Sequence, residues 1–525
     1  MDESSHVTSD YPRVRISSGE IQGEFAQDGT IAVWKGVPFG APTGGAGRFR
    51  RPKPPRPWQG ILDCTRYQSP APQPNYGLSE RLIGDEDCLH LDIVRPHSVE
   101  RLPVVVYFHG GSFLMGASHQ NMLRGYRLAR VMNVVYVSLN FRLGVLGYLD
   151  LRSLGGDCVA NPALWDQVLA LEWVRENIAQ FGGDPDSVTI MGESAGGAAV
   201  LALLCSPPAH GLFHRAIAQS PPIGLIHSKA QSQLWARQLL TRLGLPHDST
   251  VEDLRTFSAD ELVRAGMSMM WRAGELQFLN STFGPTVESE SLPEHPMVAF
   301  QHGRQARVPL MLGTNLDEAG ITRYFFQRTA RRAKAGRRLL YPYDPEHTDT
   351  VLEAYGGARS RAEFADLVTD ALFWAPTVRI ASHHNEVAPT WMYRFDFAPQ
   401  LMRKLGIGAA HSAELSNVFG TPEASKTRLL SKVGRDDAAM QRLTAEMQRH
   451  WASFISSGQP GSDWPQYKPP TDQHHSRPTM VFDAQSRVEY DPKADKRRAW
   501  KGYNVLEWGA GRPELLRDLG FRVDD

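Results

Sequence analysis

The chain has 525 residues, 42% of them hydrophobic, and its 57 basic and 57 acidic side chains cancel to no formal net charge. That length can bury a sizeable core as one large α/β unit or as two or three domains, and the charge balance argues against a nucleic-acid or anionic-membrane partner, which would leave a basic excess. The opening MDESSHVTSDYPRVR has no basic n-region or apolar h-region, no uncharged apolar run approaches eighteen residues, and the four cysteines (Cys64, Cys88, Cys158, Cys205) are too few for a disulfide scaffold, so the expectation is a cytoplasmic chain with reduced thiols and no membrane span.

In chain order, GVPFGAPTGGAGRFRRPKPPRPW (36–58) carries too much glycine and proline for continuous helix or central strand, and reads as an ordered looping surface segment. LPVVVYF (102–108) is a short β-branched run that ends at His109-Gly110-Gly111, the pattern of a parallel strand buried on both faces. NVVYVSLNF (133–141) and DSVTIMG (186–192) are two more such runs. Between them PALWDQVLALEWVRENIAQF (162–181) repeats Leu164, Val168, Leu171, Val174 and Ile178 at helical spacing. A further helical stretch starts at Ala195, and this alternation predicts an α/β fold with a mostly parallel central sheet covered by helices. The span from about 225 to 405 is less regular, with helical patterns, loops and many aromatics; near the end KADKRR (493–498) and FRVDD read as solvated surface.

The third strand runs into Gly192-Glu193-Ser194-Ala195-Gly196, a G-x-S-x-G pattern. Alone it is weak, since a chain this long would show roughly 0.2 such matches by chance. Its setting strengthens it: a strand before, a helix after, and small residues that let the two approach closely while the serine is left at the helix N-terminus. Neither a Walker-type G-x-x-x-x-G-K-[ST] nor a helix-opening G-x-G-x-x-G occurs here, so Ser194 reads as a nucleophile and the turn does not read as a phosphate cradle.

A serine hydroxyl needs a base and an orienting acid, which follow in the order acid, then histidine, in this kind of fold. YFHGGSF (107–113) is a glycine-rich turn directly after a strand, where backbone N–H groups could stabilise an oxyanion. Thirteen histidines follow Ser194; His411 in GIGAAHSAEL has small neighbours that leave its ring accessible, with His383-His384 and His474-His475 as rivals. VPLMLGTNLDEAG (308–320) offers Asp317 or Glu318 after a strand-like run, and propensity does not separate them. Phe113, Leu114 and Met115, with SMMWRAGELQF (268–278), are candidates for a substrate pocket, although the second stretch reads equally well as an amphipathic helix on the core.

With these pieces in view, the sequence resembles the type-B carboxylesterases of the α/β-hydrolase superfamily, the group of the cholinesterases and bacterial para-nitrobenzyl-type esterases. The resemblance is carried by WKGVPFG (34–40), EDCLHLDI (86–93), YFHGGSF, LNFRLG (139–144) and WVRENIAQFGGDPDSVTIMGESAGG (173–197), followed in order by LFHRAIAQS (212–220), GTNLDEAG (313–320), GAAHSAELSNVFG (408–420) and WASFISSGQP (451–460). It implies a single α/β-hydrolase domain over 1–525, with the insertions at about 225–405 forming much of the substrate pocket. It implies Ser194 as nucleophile, His411 as general base and acid, and Glu318 over Asp317 as the acid. Backbone N–H groups of Gly111, Ser112 and Ala195 would form the oxyanion hole; Glu193 would flank the site and Ser220 would support the acid. The chain departs from the family where Ser112 replaces a small Gly or Ala, and where DEAG stands in place of the commoner DEG. Ala71 occupies the place of the cysteine that secreted members pair with that of their EDCL motif; nearby Cys64 leaves a Cys64–Cys88 bridge open.

The resemblance thus implies hydrolysis of small-molecule carboxylic esters by two-step acyl transfer, with no metal or organic cofactor. A lipase, an amide or carbamate hydrolase with the same triad, and a silent interaction domain are the alternatives; the last usually lacks the serine, which is present here.

Overall fold

The computed structural model describes residues 12–27, 29–75, 81–98, 100–270, 282–421, 436–468 and 477–506. The run read as a buried parallel strand, Leu102–Phe108, lies inside a sheet of eleven strands, numbered here along the chain: β1 (Glu24–Ala26), β2 (Ile31–Pro38), β3 (His90–Pro96), β4 (Leu102–Phe108), β5 (Val135–Leu139), β6 (Gly183–Glu193), β7 (Arg215–Gln219), β8 (Leu310–Asn315), β9 (Thr390–Phe395), β10 (Pro478–Phe482) and β11 (Arg487–Tyr490). Their spatial order is β11-β10-β9-β8-β7-β6-β4-β5-β3-β2-β1. From β5 across to β10 every neighbouring pair is parallel, and the strands outside that block pair antiparallel.

Because strand side chains alternate faces, β4 feeds both halves of the core. Leu102, Val104, Val106 and Phe108 join an apolar layer with helix α1 (Pro162–Asn177) and helix α2 (Ala195–Leu204). Val105 and Tyr107 join the opposite layer, with Met447, Trp451 and Phe454 of the long helix Asp437–Ser457. α1 starts with proline at its first position, where the missing N–H costs nothing. It ends four residues sooner than its periodicity predicts. Ile178–Phe181 tighten into a 3₁₀ turn that closes on Gly182 with φ 71°. The buried Arg142 of the LNFRLG segment grips Asp166 of α1 through Nη2 at 2.6 Å and Nε at 2.9 Å, fixing that helix against the loop after β5.

One expectation needs correction. KADKRR is not simple solvated surface: Ala494–Trp500 is a short helix, and Lys493 at its N-cap reaches the fully buried Asp370 at 2.6 Å while Trp500 is buried. The charged residues serve one face of a helix whose other face is anchored. The Cys64–Cys88 bridge that the sequence left open is not formed: the four cysteines are all unpaired thiols, and burial pushes the Cys64 thiol up to about 12. FRVDD, His474-His475 and residues 271–278 of SMMWRAGELQF lie outside the described residues. Among the described residues no helix is long and apolar enough to cross a membrane.

Candidate active site

β6 delivers Glu193, and the chain reverses at Ser194 with φ 57° and ψ −124°, a region that side chains rarely occupy. Two hydrogen bonds and the helix that follows hold the strain. The Ser194 N–H donates to Gln219 O of β7 at 2.9 Å, Ala198 N–H donates to Ser194 O at 2.9 Å, and α2 begins at the next residue. The flanking glycines are required by space. A Cβ at Gly196 would stand 2.0 Å from Phe108 O, and one at Gly192 would stand 2.4 Å from Gly196 O. Gly196→Ala is therefore expected to cost ~1–3 kcal/mol of stability, read as a lower midpoint in a urea melt. A parent-like midpoint would show that strand and helix can separate at this turn.

His411 reaches the serine from a different part of the chain. Its Nε2 lies 2.8 Å from Ser194 Oγ and its Nδ1 lies 2.6 Å from Glu318 Oε2. Backbone and packing set that pose: His411 N–H donates to Glu318 O at 3.2 Å, and the Phe373 ring packs 4.8 Å from the imidazole, centroid to centroid. The other carboxylate oxygen of Glu318 accepts from Asn315 N–H at 2.7 Å, at the end of β8. This separates the two acids that sequence leaves open. Asp317 points elsewhere, accepting from Ala409 N–H at 3.0 Å and tying the acid loop to the histidine loop. The rival His384 is a buried structural residue, with Nε2 2.8 Å from Val308 O and Nδ1 3.0 Å from Gln305 Nε2; burial pushes its pKa down to about 4.

The HGGSF loop abuts the serine, since a Cβ on Gly110 would lie 3.2 Å from Ser194 Cβ. Gly111, Ser112 and Phe113 all have positive φ, at 121°, 55° and 59°. The coil is closed by Leu114 and Met115 N–H groups, which donate to Gly111 O at 3.0 and 3.1 Å. Its exit is clamped by the buried Gln73, which accepts from Gly116 N–H and donates to Gly116 O, both at 2.8 Å. Among the described residues, the N–H groups of Gly111, Ser112 and Ala195 meet no protein acceptor. Phe113 packs 4.6 Å from Tyr148, and Leu114 and Met115 are buried beside it.

A cluster of carboxyl groups surrounds the imidazole. Glu193, buried, accepts from Ser412 Oγ at 2.5 Å and lies 3.4 Å from His411 Nε2. Glu414, fully buried, accepts from Asn315 Nδ2 at 2.7 Å. Burial, then repulsion from Glu193 and Glu318, pushes Glu414 up to about 8, and burial likewise raises Glu193. Burial opposes the charged form of His411, but the adjoining Glu193 and Glu318 outweigh it and raise its pKa above the ordinary imidazole range. Ser220 does not reach Glu318 through its side chain. Its Oγ is buried with no partner among the described residues, while its N–H donates to Gly313 O of β8 at 2.8 Å. Glu414, Asn315 and Phe373 escape the sequence reading. Glu414 stands inside the quoted GAAHSAEL, but only the fold turns it back toward the site.

A mostly parallel sheet whose strand-to-helix turn holds a serine within hydrogen-bond reach of a histidine, itself paired to an acid, defines an α/β-hydrolase. The chain belongs to the carboxylesterase family, whose model matches residues 10–500. It is 34% identical to the para-nitrobenzyl esterase of Bacillus subtilis (strain 168), over 92% of this chain and 97% of that protein. It is 32% identical to carboxylesterase 4A of Bos taurus, over 90% of each. A solved PNB esterase structure superposes with a TM-score of 0.82 at 33% identity, covering 93% of this chain and 99% of the other. The protein is a serine carboxylesterase, a carboxylic ester hydrolase.

Proposed function

We propose that Ser194 is the nucleophile of this esterase, His411 its general base and acid, and Glu318 the acid that orients the imidazole. The observation that carries the assignment is the continuous line Oγ–Nε2, 2.8 Å, and Nδ1–Oε2, 2.6 Å. In acylation, His411 Nε2 takes the Ser194 proton as Oγ bonds to the ester carbonyl carbon. The carbonyl electron pair moves onto oxygen, facing the N–H groups of Gly111, Ser112 and Ala195. Collapse of that adduct breaks the ester C–O bond, and His411 hands its proton to the leaving alkoxide. Water, deprotonated by the same imidazole, repeats the sequence on the acyl-enzyme to release the acid and restore the serine.

Glu193 supports this cycle by raising the basicity of His411. Ser220 supports it through its backbone, holding β7 to the strand that carries the acid loop. The chain acts as one α/β-hydrolase domain, with the 225–405 insertions contributing to the pocket through residues such as Phe373. Four unpaired cysteines support a cytoplasmic, reducing location.

Rapid mixing with a para-nitrophenyl ester tests the two-step reading. A burst of nitrophenolate matching the enzyme concentration, followed by a slower steady state, is the expected record when deacylation limits turnover. The acyl-enzyme is then trapped by acid quench and found by mass on the peptide containing Ser194. An enzyme that turns over in the steady state without ever carrying acyl on that peptide would refute the proposal.

The pH profile has a defined sign. The base must be neutral, so kcat/KM falls as pH drops through the raised pKa of His411. Glu193→Gln removes a neighbouring negative charge, and the acid limb should move to lower pH by at least ~1 unit. An unmoved limb would show that Glu193 does not act on the imidazole.

A further inference from the structure

We infer that Asp370, locked by Lys493 of the C-terminal helix, is a positioning residue for the catalytic pair His411–Glu318. The inference rests on the site assignment proposed above. Asp370 opens a π-helical turn, Asp370–Trp374, between the helices Arg361–Thr369 and Ala375–His384. Such turns insert one extra residue into a helix and re-aim its side chains. Here the turn and the residue before it carry two contacts onto the site. On one side of Asp370, Thr369 Oγ1 accepts from Ala319 N–H at 2.9 Å, pinning the residue that follows Glu318. On the other side Phe373 packs on the His411 ring at 4.8 Å.

The turn is held from outside the site. The Asp370 carboxylate is fully buried and satisfied at both oxygens. Lys493 Nζ donates to Oδ1 at 2.6 Å and the Tyr355 hydroxyl donates to Oδ2 at 2.7 Å, with Lys496 Nζ 3.8 Å from Oδ2. Trp500 Nε1 donates in turn to the Tyr355 hydroxyl at 2.8 Å, so both ends of Ala494–Trp500 converge on this carboxylate. Lys493 also lies 5.2 Å over the Trp374 ring, at the far end of the same turn.

A buried ion pair adds little net stability over apolar packing of equal volume, because each charge loses its hydration. What such a pair does supply is direction: a carboxylate held by a donor on each oxygen, with a second ammonium nearby, has one pose. At Asp370 that pose fixes the neighbours that touch the acid loop and the histidine ring. Displacements of about 1 Å in a reacting pair cost up to ~100-fold in rate, so a brace of this kind acts on kcat with little effect on substrate binding.

The test compares Asp370→Asn, Lys493→Arg and the double variant Asp370→Asn/Lys493→Met in the full chain, with Ser194→Ala assayed alongside. Asp370→Asn is expected to lower kcat by ~10-fold or more with KM within ~2-fold. It should also move the acid limb of kcat/KM to lower pH, as the Glu318 contact that raises His411 loosens. Lys493→Arg, which keeps the ion pair, should retain most of kcat. The double variant, which leaves no unpaired Lys493 charge, should regain thermal stability without regaining kcat or the parental pH limb. If Asp370→Asn fails to fold, Thr369→Val removes only the hydroxyl on Ala319 N–H, and the same kcat loss and limb shift are expected. Folded variants with parental kcat and pH profile, or a double variant that recovers kcat together with its melting temperature, would overturn the inference. An inert Ser194→Ala in that case leaves the site assignment intact, whereas an active Ser194→Ala would refute the assignment itself.

Discussion

Ser194→Ala is expected to fold with a parent-like melting temperature and to turn over para-nitrophenyl esters ~10³-fold or more slowly than the parent. The fold should survive because nothing in the turn depends on the hydroxyl. The strained backbone is held by the Ser194 N–H on Gln219 O and by the close glycine approaches, all of which alanine keeps. The rate should collapse because Ser194 Oγ is the hydroxyl that lies on His411 Nε2, at 2.8 Å. With Oγ removed, His411 Nε2 could still deprotonate water, and the oxyanion donors would still face the carbonyl, which accounts for a residual rate. Steady-state kinetics and a thermal melt on one preparation check both halves. Parental turnover by a folded Ser194→Ala would remove the nucleophile from the mechanism.

The second large effect separates the neighbouring acids. Glu318→Gln is expected to lower kcat/KM by ~10³–10⁴-fold, and Asp317→Asn by less than ~10-fold. Glu318 receives two donors, Asn315 N–H on one oxygen and His411 Nδ1 on the other. An amide offers a single acceptor oxygen, so glutamine must present its NH₂ to one of those donors. Either the acid loop loses its anchor or the imidazole loses both its tautomer and its counter-charge. Asp317 instead accepts one backbone N–H from Ala409, which the oxygen of asparagine can still take. Equal losses in the two variants would mean that the acid was assigned to the wrong residue.

These contrasts mark what sequence could carry. The serine turn was legible because its determinants are local: a β-branched run, a glycine whose Cβ would meet Phe108 O, and a helix of small residues. β4 and β6 follow from short β-branched runs bounded by glycine, α1 from its helical spacing of apolar residues, and α2 from the small-residue and apolar run after the serine. His411 and Glu318 stand 93 residues apart and meet only through the β8 and β9 register, so the residues alone left Asp317 and Glu318 equivalent. The family resemblance favoured Glu318, whose carboxylate lies 2.6 Å from His411 Nδ1.

Other features were out of reach for the same reason. Glu414 looks like an ordinary polar residue after a turn until Asn315 and Gln219 are folded over it. KADKRR reads as solvent-facing because charge runs usually are, and nothing local marks Lys493 as the partner of an aspartate 123 residues away. Ser220 is conspicuous by position, yet the contact it makes toward the acid strand is through its backbone N–H and not its hydroxyl.

The most direct measurement is covalent: incubation with a fluorophosphonate, intact-mass analysis, and peptide mapping of the adduct. The mechanism predicts one phosphonyl group per chain, on Ser194, formed in step with the loss of esterase activity and absent from Ser194→Ala. Complete inactivation with the label on another residue, or full activity in a quantitatively labelled Ser194 enzyme, would contradict it.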